Sequence, residues 1–237
     1  MSPPRKPRVG VVTFPGSLDD RDALRAVAFM GGEGVMLWHA EKDLDGVDAV
    51  ILPGGFSYGY YLRTGAIARF AAIMEEVRTF ADVGRPVVGI CNGFQILCEA
   101  GLLPGALIRN ASLRFVCRVV NVRVETSLSP LTRSLIAGEV LAVPMKHGEG
   151  QFVASEEDLD RIEREGLVVF RYCAPNGDID DAANPNGSAD SIAGVRNEVG
   201  NVVGMMPHPE HAVDPDVGPV GGQPLFESLL SLALARV

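Results

Sequence analysis

Short apolar runs alternate with longer segments of helical periodicity along the N-terminal part of the chain. The runs are rich in Val, Ile and Leu and are bounded by Gly and Pro, which is typical of strands buried on both faces of a parallel sheet. The predicted strands are 9–14, 34–39, 48–52 and 86–90, and the predicted helices are 17–30, 67–81 and 92–100. This alternation predicts an α/β fold with a mostly parallel, twisted sheet and helices on both faces, as in flavodoxin-like proteins.

The C-terminal part has a different pattern, with apolar and polar residues alternating loosely over 115–125. This segment is predicted to form one or two half-exposed strands, which suits antiparallel additions to the sheet. Further strands are predicted at 141–143, 167–172, 191–196 and 202–206, with a loop at 174–188 and a closing amphipathic helix that starts at Pro224. We find no internal repeat and no long linker, so we expect one domain over 9–237 after a flexible tail at 1–8.

Composition and charge narrow the classes of partner. Hydrophobic residues make up 47% of the 237 residues, which is enough for a large core. The chain has 21 basic and 30 acidic residues and a net charge of −9, which disfavours nucleic acid and anionic membranes as partners. The apolar segment 225–235 is too short to span a bilayer. We therefore expect a cytoplasmic protein that binds neither nucleic acid nor membranes.

The four cysteines show neither a Cys-x-x-Cys pair nor the spacing of a zinc site with histidine. We therefore predict free thiols in a reducing compartment and no bound metal. Cys98 lies on the predicted helix 92–100, two helical turns after Cys91, and is expected to face the core. Cys117 and Cys173 lie in strand-like apolar runs, where we expect buried and unreactive thiols.

Cys91 lies in the most informative segment, an apolar run followed by Gly-x-Cys-x-Gly and a helix-compatible stretch. A strand that ends in Gly-x-nucleophile-x-Gly turns sharply into a helix and exposes the nucleophile at the edge of the sheet. The two glycines allow backbones to approach where a side chain would clash. Since amides at a helix N-terminus stabilise a thiolate, Cys91 is a candidate nucleophile.

A cysteine nucleophile needs a base and a group that orients the base. In Pro207-His208-Pro209-Glu210 the prolines restrict the backbone, and an extended chain would present His208 and Glu210 side by side. His147-Gly148-Glu149 is a competing His-x-Glu, but flanking glycines leave its geometry open. We predict His208 as base and Glu210 as its orienting carboxylate, and we place His147 and Gly148 in a loop that lines the site.

An oxyanion hole is predicted at Pro53-Gly54-Gly55-Phe56, where amides without bulky side chains can form an anion-binding nest. The candidate donors are Gly55, Phe56 and the amide of Asn92, although an ordinary glycine turn would have the same sequence. Gln95 lies one helical turn after Cys91 and could bond a substrate amide or an amino-acid head group.

Two of these motifs together, Gly-Ile-Cys-Asn-Gly-Phe-Gln-Ile-Leu and Pro-His-Pro-Glu, resemble the class I (triad) glutamine amidotransferases. The closer resemblance is to the glutaminase components of phosphoribosylformylglycinamidine synthases, and it extends over nearly the whole chain. Further matching stretches are 14–17, 53–59, 110–117, 147–150, 184–188 and 224–228.

The resemblance implies that Cys91 attacks the carboxamide of L-glutamine and forms a glutamyl thioester, that His208 moves the proton, and that Glu210 orients His208. It implies a large synthetase subunit that receives the ammonia and binds ATP, magnesium and the ribonucleotide, and a small third protein that bridges the two. This chain itself is expected to hold no cofactor, since it contains no Gly-x-x-x-x-Gly-Lys-Ser/Thr loop.

The sequence departs from the family at two places. Leu18 and Asp19 stand where the family usually has Asn and Cys, and Tyr60 replaces the usual Asp. Two other hypotheses remain at this point, a PfpI-like cysteine hydrolase or stress protein and a non-catalytic subunit on the same fold. Those hydrolases usually have a histidine directly after the cysteine, where this chain has Asn92.

Overall fold

Parallel and antiparallel strands are joined into one mixed sheet in a computed structural model that describes residues 5–59 and 63–235. The strands in chain order are β1 (Arg8–Thr13), β2 (Glu33–Trp38), β3 (Ala49–Leu52), β4 (Val87–Ile90), β5 (Ala106–Arg109), β6 (Val116–Val124), β7 (Val140–His147), β8 (Glu149–Val153), β9 (Val168–Cys173), β10 (Ile192–Arg196) and β11 (Val202–Met205). Nine of them form a sheet in the order β2-β1-β3-β4-β11-β10-β9-β6-β7, and β5 and β8 pair separately.

The sheet changes character at β11. The neighbours β2, β1, β3, β4 and β11 are parallel, whereas β10, β9, β6 and β7 are added antiparallel. This confirms the predicted α/β fold with a mostly parallel core and antiparallel additions. It also shows that the segment 115–125 contains one strand, β6, and that the predicted strand 141–143 lies in the first half of the longer β7.

Five helices are present among the described residues, namely α1 (Asp20–Phe29), α2 (Ile73–Asp82), α3 (Asn92–Glu99), α4 (Glu156–Arg164) and α5 (Gln223–Ala235). The helix predicted at 17–30 starts later, because Ser17 turns back and its hydroxyl accepts the amide of Phe14. The helix predicted at 67–81 is interrupted at Ala71, whose ψ of 146° is extended. A short 3-10 turn, Ala68–Phe70, therefore precedes α2.

The predicted tail at 1–8 is wrong at its C-terminal end. Residues 1–4 lie outside the described part of the chain, but Arg8 opens β1 and donates its amide to Asp48 at 2.8 Å. Arg5 makes two bonds to the same carboxylate, at 2.9 and 3.1 Å. Asp48 is almost fully buried, so these basic residues compensate a charge that would be costly alone.

The core lies on both faces of the parallel strands. Val88, Ile90 and Met205 are at most 1% exposed and belong to the same buried cluster as Phe94 of α3. Because β4 and β11 are parallel neighbours, their carboxyl ends meet at one edge of the sheet. That edge places the residues that follow β4 beside those that follow β11, which is where ligands bind in open α/β sheets.

Within the described residues, the helices all lack either the length or the apolar composition needed to cross a membrane.

Candidate active site

Cys91 occupies a strained turn between β4 and α3. Its φ of 50° and ψ of −104° are rare for a residue with a side chain, and such strain clusters at functional sites. A Cβ on Gly93 would lie 1.9 Å from the carbonyl oxygen of Leu52, and one on Gly89 would lie 2.7 Å from the backbone of Gly93. Both glycines are therefore required by close backbone packing, as predicted from the motif.

His208 and Glu210 meet at the end of β11. The Nδ1 atom of His208 lies 2.6 Å from Oε1 of Glu210, and both residues are buried. The predicted extended geometry is wrong in detail, since Pro209–His211 forms a 3-10 turn. The turn still brings the two side chains together, and the amide of His208 is fixed by a 2.8 Å bond to Pro144.

The surroundings of His208 favour its charged form. Burial alone would lower the pKa of the ring, but the charges of Glu210 and Cys91 raise that pKa well above its ordinary value. The Nε2 atom is buried and makes no hydrogen bond of ordinary geometry among the described residues, but the Cys91 thiol lies close enough to the ring to raise its pKa. The structure thus brings together the three residues predicted as a triad, with the His208 ring in contact with the Glu210 carboxylate and close to the Cys91 thiol.

The predicted oxyanion donors differ in their availability. The amide of Phe56 donates to the carbonyl of Gly16 at 2.8 Å, so the prediction that it could serve as an oxyanion donor does not fit this conformation. Gly55 has a φ of +143° and lines the cavity at Cys91. Asn92 begins α3, and its side-chain Oδ1 accepts the amide of Ser57, which ties the turn at Cys91 to the Gly54–Gly59 loop.

A cavity of about 110 Å³ opens beside the nucleophile. It is lined by Leu18, Asp19, Gly55, Phe56, Cys91, Gln95, Phe115, Lys146, His147 and Glu149. The amide nitrogen of Gln95 donates to the carbonyl of Glu149 at 2.6 Å, which holds the side chain at the cavity wall. The Glu149 carboxylate in turn accepts the hydroxyl of Thr64 at 2.5 Å.

His147 and Gly148 lie at the junction of β7 and β8 and not in the loop that the glycines suggested. Burial lowers the pKa of His147 to about 3, and the charge of His208 contributes in the same direction. Its Nδ1 lies 3.1 Å from Oδ1 of Asn110. A neutral, buried ring at the cavity wall is a poorer proton carrier at neutral pH than His208. Gly148 bonds Asn110 through its carbonyl and is not among the cavity-lining residues.

Asp19 joins the site although no sequence argument placed it there. Its Oδ1 lies 2.5 Å from the Lys146 ammonium and 3.1 Å from Nε2 of His211, and its Oδ2 lies 3.7 Å from Nδ1 of His208. Burial alone would raise the pKa of Asp19, but these three basic groups hold it well below its usual range. The departure from the family at this position was visible in the sequence, whereas its contacts were not.

A metal is an alternative occupant of this cluster, because ligand atoms of Asp19, His208, Glu210 and His211 lie within 4.8 Å of one another. The Lys146 ammonium already contacts Asp19, and Glu210 already contacts the ring of His208. A cation inserted there would have to displace both. The donor set is therefore better suited to ion pairs, and the expectation of no metal stays a prediction.

The other cysteines only partly match expectation. Cys173 is buried, and burial raises the pKa of its thiol and that of Cys98. Cys117 is exposed, because the start of β6 faces solvent, so the prediction of a buried thiol there is wrong. Tyr60, the second departure from the family, lies outside the described residues.

Comparison with known proteins places this geometry in a family. The family model of the CobB/CobQ-like glutamine amidotransferase domain matches residues 6–221. The chain belongs to the CobB/CobQ-like glutamine amidotransferases.

Relatives of this amidotransferase share most of its length. Subunit PurQ of phosphoribosylformylglycinamidine synthase from Leifsonia xyli is 58% identical over 212 residues, covering 90% of this chain and 88% of the relative. The subunit PurQ from Mycobacterium bovis is 56% identical over 228 residues, covering 96% and 98%. Among solved structures, PurLQS from Thermotoga maritima matches with a TM-score of 0.84 and 42% identity, covering 96% of this amidotransferase and 99% of that chain.

Proposed function

We infer that the chain is the glutaminase subunit of phosphoribosylformylglycinamidine synthase and acts in de novo purine biosynthesis. Relatives of that name are 54–58% identical to it over most of its length. The observation that carries the inference is the pairing of His208 with Glu210 at 2.6 Å beside the strained Cys91 turn. In the overall reaction, the amide nitrogen of glutamine would convert formylglycinamide ribonucleotide to formylglycinamidine ribonucleotide.

The chemistry proposed for the triad is an acyl transfer in two steps. Cys91 Sγ gives its proton to His208 Nε2 and attacks the side-chain carbonyl carbon of glutamine. The C–N bond of the tetrahedral species then breaks, and His208 protonates the leaving nitrogen, so ammonia departs and a glutamyl thioester remains. His208 next takes a proton from water, the resulting hydroxide attacks the thioester, and glutamate and the Cys91 thiolate are released.

The remaining site residues have proposed binding roles. Gly55 and Asn92 would donate amides to the tetrahedral oxyanion, and one such donor typically contributes about 2.7–4 kcal/mol. Gln95 and His147 line the cavity and would contact the substrate. Gly148 is not among the cavity-lining residues, and as a glycine it would act only through its backbone.

The partners are proposed on the same basis. The Thermotoga maritima relative was solved as PurLQS. We expect a large synthetase subunit that binds ATP and magnesium, and a small bridging subunit. No cofactor is proposed for this chain. The cytoplasm is the proposed compartment, because all four cysteines are free thiols, as is usual in reducing surroundings.

Trapping the thioester tests this function against both alternatives. The complex is mixed with glutamine, quenched in acid, digested and analysed by mass spectrometry. A glutamyl adduct on Cys91 is expected. A non-catalytic subunit would give no adduct, and a PfpI-like hydrolase would give no glutamine-dependent adduct. Production of glutamate without formylglycinamidine ribonucleotide, in the presence of synthetase, ATP and formylglycinamide ribonucleotide, would contradict the coupling to purine synthesis.

A further inference from the structure

The segment before α1 fixes the backbone carbonyl of Gly54 through hydrogen bonds. The amides of Leu18 and Asp19 both donate to this oxygen at 3.2 Å. Gly54 itself lies between two groups of the site, since a Cβ there would be 2.4 Å from Oδ2 of Asp19 and 2.7 Å from Cε1 of His208. The position of Gly54 is therefore set by Asp19 on one side and by the catalytic ring on the other.

Fixing the carbonyl of Gly54 also fixes the amide of Gly55. The described residues contain no cis peptide, and in a planar trans peptide the C=O and N–H groups point in opposite directions. Since Gly54 presents its oxygen to the Leu18 and Asp19 amides, the N–H of Gly55 points away from that segment. Gly55 lines the cavity with Cys91, whereas the amide of Phe56 is bonded to Gly16. Within this loop, Gly55 is thus the better-placed donor.

Asp19 is itself anchored from two directions. Its side chain is 5% exposed and bonds Lys146 of β7 and His211 of the turn after β11. Its carbonyl accepts the amide of Ala23 at 2.9 Å in the first turn of α1. An ion pair across distant elements therefore defines where the Asp19 amide lies.

We propose that Asp19 is a positioning residue for the reaction, and that its bonds to Lys146 and His211 hold the Gly54–Gly55 peptide with the Gly55 amide directed at the oxyanion. This proposal rests on the proposed glutaminase function. Asp19 acts through the peptide and does not touch the substrate carbonyl. The usual cysteine of the family at this position could not form the same charged anchor.

A competing account is that Asp19 acts by its charge on His208, from which it is 3.7 Å away. Two reactions of Cys91 distinguish these accounts, because only one of them forms an oxyanion. Attack on glutamine forms a tetrahedral oxyanion, whereas alkylation by iodoacetamide displaces iodide from a saturated carbon and forms none. The alkylation rate therefore reports the Cys91–His208 pair, while glutamine turnover reports that pair and the oxyanion donors.

The experiment compares Asp19→Ala, Asp19→Asn and the wild-type chain, each assembled with its synthetase. The control is Asp160→Asn, an exposed acid on α4 that changes the net charge equally. We expect Asp19→Ala to lower kcat for glutamine by about 10–100-fold, a part of the loss typical of one oxyanion donor, with KM changed less. Asp19→Asn can still accept bonds from Lys146 and His211 and should recover most of that loss. Both variants remove the charge that lies 3.7 Å from Nδ1 of His208, so the pH profile of Cys91 alkylation should shift by the same amount in each. Any difference in kcat between the two variants therefore reports the anchoring bonds and not the charge.

A loss of kcat in Asp19→Asn as large as that in Asp19→Ala would overturn the proposal in favour of the charge effect. Unchanged kcat in Asp19→Ala would overturn it as well. Thermal melting shows whether the variants fold, and if Asp19→Ala does not, Lys146→Met replaces it with the same two outcomes. An inactive wild-type complex would count against the proposed function and not against Asp19, because these comparisons are ratios to an active wild type.

Discussion

The two sides of the Cys91 cavity are held in place by different kinds of interaction. On one side, the Cys91 turn is fixed by core packing, since Gly93 presses against the backbone of Leu52 and the amide of Cys91 bonds Met205 at 2.8 Å. On the other side, the Gly54–Gly59 loop is held by hydrogen bonds to the Pro15–Asp19 segment and carries the positive-φ residues Gly55, Tyr58 and Gly59. The nucleophile is therefore built into the core, whereas the oxyanion side depends on exchangeable polar contacts.

This difference bears on regulation. A packed core changes conformation only at a high cost in free energy, because its atoms are close-packed and any shift of a side chain or backbone segment produces clashes. A loop of glycines held by hydrogen bonds can exchange one set of partners for another at little steric cost. We therefore expect a partner subunit to adjust the oxyanion side and to leave the Cys91 turn unchanged.

The largest effect is expected at the nucleophile. Cys91→Ala should abolish glutamine-dependent synthesis by the complex and leave synthesis from added ammonium salt intact, because Cys91 only releases ammonia. Both activities are measured on the same assembled complex, and gel filtration confirms assembly. Loss of the ammonium-dependent activity in an intact complex would show that the residue also affects the synthetase site.

Removing the base should have the next largest effect. His208→Ala should lower glutamine turnover by about 10²–10⁴-fold, the usual contribution of general acid–base catalysis. Glu210→Gln should be milder, since the base remains but is less well oriented. Single-turnover thioester formation measures both variants. If His147→Ala abolished thioester formation while His208→Ala did not, the assignment of the base would be wrong.

Alanine at selected glycines compares the two sides directly. Gly93→Ala should lower the melting temperature strongly, because its Cβ would lie 1.9 Å from the Leu52 oxygen in the core. Gly55→Ala should lower glutamine turnover with a smaller loss of stability. Its Cβ would lie 2.7–2.8 Å from the backbone of Gly16, Ser17 and Leu18, a segment outside the core that can shift at less cost. Gly218→Ala is the control, with its nearest contact at 3.9 Å. Equal losses of melting temperature in Gly93→Ala and Gly55→Ala would refute the contrast.

Partner binding should change turnover more modestly. The isolated chain is expected to hydrolyse glutamine slowly, and the synthetase with ATP and acceptor nucleotide to raise the rate about tenfold or more. Tenfold requires only about 1.4 kcal/mol of preference for the productive loop conformation. Steady-state glutaminase assays with and without the partner test this. Equal rates would indicate that the oxyanion side is permanently assembled.

The smallest effect concerns the exposed thiol. Cys117→Ser should leave glutamine turnover unchanged, since Cys117 lies at the solvent-facing start of β6. An electrophilic glutamine analogue should label Cys91 stoichiometrically in both the wild type and this variant. Peptide mapping with excess glutamine as competitor distinguishes directed labelling from accidental alkylation of Cys117. Protection of Cys117 by glutamine would contradict the assignment of the site.

Local sequence patterns account for the parallel strands and for the Cys91 turn. Strands β1, β3 and β4 are continuous apolar runs because both faces are buried, and Gly-x-Cys-x-Gly encodes its own geometry. The apolar pattern does not predict helix α4, because Ile162 is its one buried residue and a single position shows no periodicity. Its cap is regular, since the Ser155 hydroxyl accepts the amide of Asp158 at 3.1 Å. Strands β5 and β8 were also missed, since their short segments pair only with each other.

The ion pairs around His208 cannot be predicted from the sequence, because their partners lie far apart along the chain. Asp19 and Lys146 are 127 positions apart, and Asp19 and His211 are 192 apart. Nothing local to any of the three indicates its partner, because the contacts depend on how α1, β7 and β11 come together. The Phe56 amide was mispredicted for a related reason, since its partner Gly16 belongs to a distant turn.

The central position of β11 also determines when the site can form. This strand is the last of the sheet in the chain, yet it lies between β4 and β10 and joins the parallel half to the antiparallel half. Non-local pairing of this kind is slow, because loop closure must precede it. During synthesis, the edge of β4 stays unpaired until residues 202–205 have left the ribosome. Since His208 and Glu210 follow that strand, a nascent chain carries its nucleophile long before its base and cannot consume glutamine until the fold is nearly complete.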